Sequence, residues 1–298
     1  MTKYIKLLRV EQWVKNLFVF LPLFFSGNIF ENDLFIRSVY AFVVFSLTAS
    51  SIYIINDYSD IESDKKHPEK KNRPLASGAI SKPTALMILG FLMVVIAALF
   101  YYGQHFLKID IWKFAVIIIF YFLINLAYTF RLKHVAIIDV SIVSLGFVLR
   151  VLAGGYATGI PISQWAILLT FVLALVLALG KRRGELINAQ ISGRTRRALD
   201  GYNVQFADIA LSISVTLAII CYLMFTVTPE VQERFGIRIF YTVIFVVFAF
   251  LRYLQQTLVY NRTESPTKIV YKDRYIQITI VLWVISFLLL IYHKYLMG

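Results

Sequence analysis

The 298-residue chain is 59% hydrophobic and only 16% charged, with a mean hydropathy of +0.72 and a net charge of +13. A soluble domain carries about 25% charged residues and has no need of repeated apolar runs of the ~20 residues that cross a bilayer, so a soluble globular protein is excluded. Lys and Arg cluster between the apolar runs rather than on one face of a soluble domain, which points to the lipid bilayer as partner and away from nucleic acid.

In chain order the pattern predicts nine membrane spans: 16–31, 35–57, 84–102, 112–130, 135–156, 163–180, 207–228, 237–256 and 276–295. The first is short and interrupted by Pro22. No charged, apolar and small-residue sequence of a removable leader opens the chain. With the N-terminus inside, 23 Lys and Arg fall on the inside and six on the outside, the ends of the spans included. The positive-inside rule then puts the N-terminus in the cytoplasm and the C-terminus outside. Two inside segments, 58–83 and 181–206, are longer than a tight helix connection needs. Cys221, the lone cysteine, lies within a span and is read as a small packing residue. The expected fold class is all-α, a nine-transmembrane-helix bundle forming a single integral membrane domain over 1–298.

The second span runs into "INDYSDIESDKKHPEKKNRPLASG", Ile55 to Gly78. If its helix continues through Asn56–Asp64, then at 100° per residue Asp57, Asp60 and Asp64 fall within about 60° of one another, with Glu62 on the far side. Three carboxylates on one face at a membrane boundary repel each other unless a cation sits among them. An all-oxygen set with the Asn56 amide suits a hard ion such as Mg²⁺, which favours a few carboxylates plus substrate phosphates.

Asn56-Asp57-x-x-Asp60-x-x-x-Asp64, followed by Arg73-Pro74-Leu75-x-x-Gly78, resembles the first aspartate-rich motif of the UbiA-type prenyltransferase superfamily, intramembrane enzymes of nine helices. The resemblance implies a cytoplasmic-side active site in which Asn56, Asp57, Asp60 and Asp64 hold Mg²⁺ on a diphosphate and Arg73 contacts phosphate. The chain departs from the common pattern after its sixth span. Where a second aspartate-rich motif is usual, it reads "LGKRRGELINAQ", with Lys181, Arg182 and Arg183 and a single acid, Glu185. Helical spacing makes Lys181 and Arg182 neighbours of Glu185, and cations replacing acids suit further anions. A second departure is the spacing of Tyr128 and Lys133, five apart where the family usually has four.

Other segments agree. Arg9, Gln12 and Asn16 share a helical face with Lys15 beside them, and Asp139, Gly146 and Arg150 share a face of the fifth span. Ionisable groups within a span are functional by default. Gln-Trp-Val-Lys-Asn at 12–16, Leu-Lys-His at 132–134, Gly-Phe-Val-Leu-Arg at 146–150 and Gly-Lys-Arg at 180–182 together resemble the decaprenyl-phosphate phosphoribosyltransferase branch. That resemblance implies Mg²⁺-dependent transfer of phosphoribose from 5-phosphoribosyl-1-diphosphate to polyprenyl phosphate at a bacterial plasma membrane, for cell-envelope glycans. Asp57, Asp60, Asp64, Lys181, Arg182 and Glu185 then form the catalytic group. Lys15, Asn16, Asn56, Arg73, Tyr128, Lys133, Asp139 and Arg150 bind substrate. Two rivals stay open: a prenyltransferase acting on an aromatic acceptor such as 4-hydroxybenzoate, and a transporter of anionic lipids. Oligomeric state is not legible.

Overall fold

The computed structural model describes residues 2–68, 70–192, 199–261, 269 and 272–296, and every regular element among them is helical. Helix α1 (Thr2–Leu8) leads into a 3₁₀ segment (Val10–Phe20) and a short α2 (Leu21–Ser26). Then come α3 (Asn32–Ser59), α4 (Ile61–Lys65), α5 (Lys82–His105), α6 (Ile111–Phe130), α7 (Ile138–Thr158) and α8 (Gln164–Ser192). The chain finishes with α9 (Val204–Val227), α10 (Pro229–Phe235), α11 (Val243–Leu254) and α12 (Arg274–Leu296). Local chemistry sets many of these ends. Ser81 caps α5 by accepting the Thr84 N–H at 3.3 Å, with Pro83 in the first turn. Asn203 caps α9 by accepting the Phe206 N–H at 2.7 Å.

Seven helices among the described residues are long and apolar enough to cross a membrane: α3, α5, α6, α7, α8, α9 and the continuous run Ile237–Val259 that contains α11. Helix α12 is apolar as well over Arg274–Leu290. Among the described residues, seven of the nine expected spans coincide with these helices, and the ninth, 276–295, falls on α12. The first expected span, 16–31, is not a continuous α-helix, because the 3₁₀ segment stops at Phe20 and α2 ends at Gly27, whose φ of 77° only glycine adopts freely. Within the expected inside segment 181–206, α8 continues to Ser192, and residues 193–198 lie outside the described set.

Packing divides the chain into two compact units, Met1–Leu132 with Leu149–Pro161, and Lys133–Val148 with Ile162–Gly298. One of the three boundaries along the chain falls within α7. In the first unit, α3 buries small residues (Ser38, Ala41, Ser46, Ala49, Ser50), which let neighbouring backbones approach closely. The 3₁₀ segment uses that face. Three residues of 3₁₀ helix and four of α-helix both rise about 6 Å, so Trp13 and Asn16 fall opposite Ser50 and Ser46. The Trp13 indole N–H donates to Ser50 Oγ at 3.1 Å and the Asn16 amide donates to Ser46 Oγ at 2.9 Å. Gly154 closes the arrangement, since a Cβ there would lie 1.9 Å from the Val19 carbonyl oxygen. In the second unit the core joins Val140, Val176, Leu179, Leu211, Val215 and Tyr253, with Cys221 also buried.

Candidate active site

The carboxylate stretch sits where α3 ends. The helix does not run on unbroken through Asp64: Asp60 caps α3 at φ −95°, ψ 7°, and α4 starts beyond it. The break is small, because the Asp60 N–H still reaches the Asn56 carbonyl at 3.0 Å and the Asp64 N–H the Asp60 carbonyl at 2.8 Å. Ile54 and Ile61 anchor the flanking turns in an apolar cluster with Leu7, Leu75, Ile80 and Ala85. Asp57 and Asp64, each 2% exposed, are drawn down with them.

The Arg73-Pro74-Leu75-x-x-Gly78 stretch becomes a turn that delivers a guanidinium. Leu75 plugs into the same cluster, Ile80 N–H closes on the Pro74 carbonyl at 3.0 Å, and Gly78 turns the chain at φ +77°. Arg73 Nη1 then bridges the two acids, 3.1 Å from Asp57 Oδ1 and 2.7 Å from Asp64 Oδ2. Arg9 arrives from the N-terminal segment, with Nη2 2.5 Å from Asp57 Oδ1 and its guanidinium 4.9 Å above the Tyr53 ring. Asp57 Oδ2, also buried, accepts no hydrogen bond.

The acid face thus gathers two of the three expected carboxylates around one cation. Asp60 is half-buried at the helix break, and Asn56 is half-buried on the last turn of α3. Among the described residues, no group of three or more His, Cys, Asp or Glu stands ready to hold a metal. The donors nevertheless fit a hard divalent ion. They are carboxylate oxygens only, they already share one positive centre, and a buried anionic oxygen with no donor is costly until something positive reaches it.

Deeper in the first unit, Arg150 is 5% exposed. Its Nε donates to Asn16 Oδ1 at 2.8 Å and its Nη2 to Tyr121 Oη at 3.1 Å. The Phe45 and Tyr121 rings lie 4.9 and 5.1 Å from its guanidinium carbon. Asn16 and Arg150, far apart in sequence, are thereby brought together. Lys15 is exposed, and Tyr128 is half-buried on α6.

The second unit carries its own ionic group. Arg182 is 6% exposed on α8 and donates from Nε to Asp139 Oδ2 at 2.6 Å and from Nη1 to Glu185 Oε2. Lys181 Nζ stands 3.9 Å from Glu185 Oε1 and is itself exposed. Tyr202 donates to Asp139 Oδ1 at 2.8 Å and accepts the Ile137 N–H at 2.7 Å. That N–H belongs to a β-branched residue at φ 69°, a conformation such residues rarely take. Burial pushes the Tyr202 hydroxyl up to about 12, so it serves as a neutral donor. Arg183, 4% exposed, donates to Asp208 Oδ1, and its Nη1 donates to Asn261 Oδ1 at 3.0 Å.

Sequence spacing put Asp139 and Arg150 on one face of α7. The structure gives them separate networks, Asp139 to Arg182 and Tyr202, Arg150 to Asn16 and Tyr121. Arg182 and Arg183 are not bare cations awaiting anions, because internal carboxylates already hold them. Lys133 is half-buried in a 3₁₀ turn, Leu132–His134. Arg9, Tyr202, Asp208 and Tyr121 were not singled out as site residues. Arg9 alone had a signal, three residues before Gln12 at the start of the Gln-Trp-Val-Lys-Asn segment.

A profile of the UbiA prenyltransferase family matches residues 17–272. The chain is 34% identical over 294 residues to a decaprenyl-phosphate phosphoribosyltransferase of Mycolicibacterium smegmatis, covering 94% of this chain and 89% of that one. It is 33% identical to the enzyme of the same name from Corynebacterium glutamicum, covering 97% and 86%. Among solved structures, a UbiA homolog from Archaeoglobus fulgidus bound to DMAPP and Mg²⁺ superposes with a TM-score of 0.65 at 18% identity, covering 97% of this chain and 99% of that one.

Proposed function

The chain belongs to the UbiA prenyltransferase family, and from that premise we propose that it transfers 5-phosphoribose from 5-phosphoribosyl-1-diphosphate to polyprenyl phosphate. The products are polyprenyl-phosphoryl-5-phosphoribose and diphosphate. What carries the reading is the pairing of buried Asp57 and Asp64 about one cation in a chain so similar, end to end, to named phosphoribosyltransferases. It is a membrane transferase, with seven helices among the described residues long and apolar enough to cross a bilayer. A plasma-membrane location, a cytoplasmic N-terminus and acid cluster, one integral membrane domain, and use of the lipid-linked pentose for envelope glycans complete the proposal.

Asp57 and Asp64, with Asp60 and the Asn56 amide close by, would hold Mg²⁺. The ion supplies charge neutralisation that turns diphosphate into a better leaving group at ribose C1. Arg73, 24% exposed and already at the acids, is placed to share the diphosphate oxygens as negative charge grows on them. Lys15, Lys133 and Lys181 are the candidates for the 5-phosphate and the lipid phosphate. Asp139 and Glu185 keep Arg182 oriented, and Asn16 orients Arg150. The lipid phosphate is anionic at neutral pH, so its oxygen attacks C1 opposite the leaving group with no need of a general base.

The test is incubation of membranes containing the chain with radiolabelled phosphoribosyl diphosphate and decaprenyl phosphate, with and without Mg²⁺. Metal-dependent label in the lipid fraction is expected. Absence of labelled lipid, or prenylation of 4-hydroxybenzoate in a parallel assay, would overturn the assignment.

A further inference from the structure

Arg9 is the residue at the acid cluster whose presence needs an explanation. Asp57 and Asp64 could have been served by Arg73 alone, which touches both. A second guanidinium nonetheless lies 2.5 Å from the same Asp57 oxygen that Arg73 uses, while Asp57 Oδ2, equally buried, is left with no donor. Two cations therefore crowd one oxygen and neglect its twin. As a purely structural ion pair this is a poor arrangement, since a donor on Oδ2 would relieve an unsatisfied buried anion.

The backbone holds Arg9 there at a cost. It is a non-glycine residue at φ 48°, ψ 50°, in the left-handed region, which costs such a residue about 1–2 kcal/mol. This residue is also the joint between α1 and the 3₁₀ segment, on either side of which Leu7 and Asn16 are fully buried. The side chain has a second seat. The Tyr53 ring, one helical turn before Asp57 on α3, lies 4.9 Å from the guanidinium carbon. That contact does not involve the carboxylate, and its cation–π attraction keeps the guanidinium at the site if the Asp57 bond is released. With 19% of its side chain exposed, Arg9 also has a path to the mouth of the cluster.

We propose that Arg9 is an exchangeable counter-ion: it holds Asp57 while the acid cluster is without metal, gives the carboxylate up to the divalent ion, and turns on the Tyr53 ring to grip the diphosphate. The idea rests on the reading that Asp57 and Asp64 are metal ligands and adds what happens to the charge they displace. Asp57, Asp64, Arg9 and Arg73 sum to zero, so a bare divalent ion would leave the buried cluster at +2. A diphosphate arriving with the ion brings the missing negative charge, and the displaced guanidinium is positioned to meet it. Metal and diphosphate should therefore bind as a pair, each favouring the other.

The proposal makes two effects of opposite sign. In purified full-length protein in detergent, Mn²⁺ binding is measured by electron paramagnetic resonance without substrate. Binding of phosphoribosyl diphosphate is then measured by calorimetry at saturating Mn²⁺. Arg9→Gln should bind Mn²⁺ about tenfold more tightly than wild type, because one charge-assisted bond no longer competes. The same variant should bind phosphoribosyl diphosphate about tenfold more weakly, because that bond can no longer re-form to phosphate. Unchanged or weaker Mn²⁺ binding in Arg9→Gln, with wild type binding normally, would overturn the exchange. Wild type that binds no Mn²⁺ would instead overturn the metal reading beneath it. Should Arg9→Gln fail to fold, Arg9→Lys decides the matter: an ammonium cannot span carboxylate and ring together, so the same two shifts appear, reduced to a few-fold, or the proposal fails.

Discussion

The two buried ionic groups of this protein are built from the same parts and finished differently. At the end of α3, two carboxylates and two guanidiniums leave an oxygen of Asp57 with no hydrogen bond. On α7 and α8, both oxygens of Asp139 are used, one by Arg182 and one by Tyr202, and Glu185 takes a second arm of the arginine. A fully paired network fixes geometry, whereas a buried carboxylate with a spare oxygen has capacity for a further cation. On that ground we propose the first group as the binding site and the second as a brace. The partners' exposure agrees: the Arg9 and Arg73 side chains are 19% and 24% exposed, but that of Arg182 is only 7%.

That contrast is most exposed to failure at its two aspartates. Asp139→Asn breaks a buried pair whose arginine cannot reach water, and should cost about 3 kcal/mol of stability, read as a lowered unfolding midpoint in detergent. Asp57→Asn should barely move that midpoint, since its arginines can turn outward, yet should reduce phosphoribosyl transfer about 100- to 1,000-fold. Exchanged outcomes, with Asp57→Asn unfolding the protein and Asp139→Asn merely slowing it, would reverse the assignment of brace and site.

A smaller effect separates packing from charge within the first unit. Gly154→Ala drives a methyl group into the Val19 carbonyl and should cost about 1–3 kcal/mol without changing Mn²⁺ affinity. Loss of metal binding in that variant would mean that the acid cluster depends on the 3₁₀ segment's seating.

The smallest effect sharpens the brace. Tyr202→Phe removes the hydroxyl shared by Asp139 and Ile137 and should cost about 1 kcal/mol near neutral pH. Burial raises this hydroxyl from 10.0 to about 12, with the Asp139 contact adding to the rise. In the unfolded chain it ionises first, so its contribution is intact below pH 10 and is lost as pH climbs towards 12. Unfolding midpoints measured across that window should fall more steeply for wild type than for Tyr202→Phe, and parallel curves would remove Tyr202 from the network.

Composition and hydropathy settled that this is a helical membrane protein, because a bilayer admits long apolar segments and demands that each satisfy its own backbone. The aspartates and the Arg73–Gly78 stretch were legible as a motif, whereas the helix break at Asp60 and the turn at Gly78 were not. Tertiary structure decided which charges meet. It turned 16–31 into a 3₁₀ segment and a short helix, matched to the serines of α3 by equal rise. It sent Asp139 and Arg150 of one helix to different partners, and it brought Arg9 across 48 residues to Asp57. Pairing between distant side chains depends on packing of elements that no local period encodes, and a buried charge takes whichever partner the fold supplies.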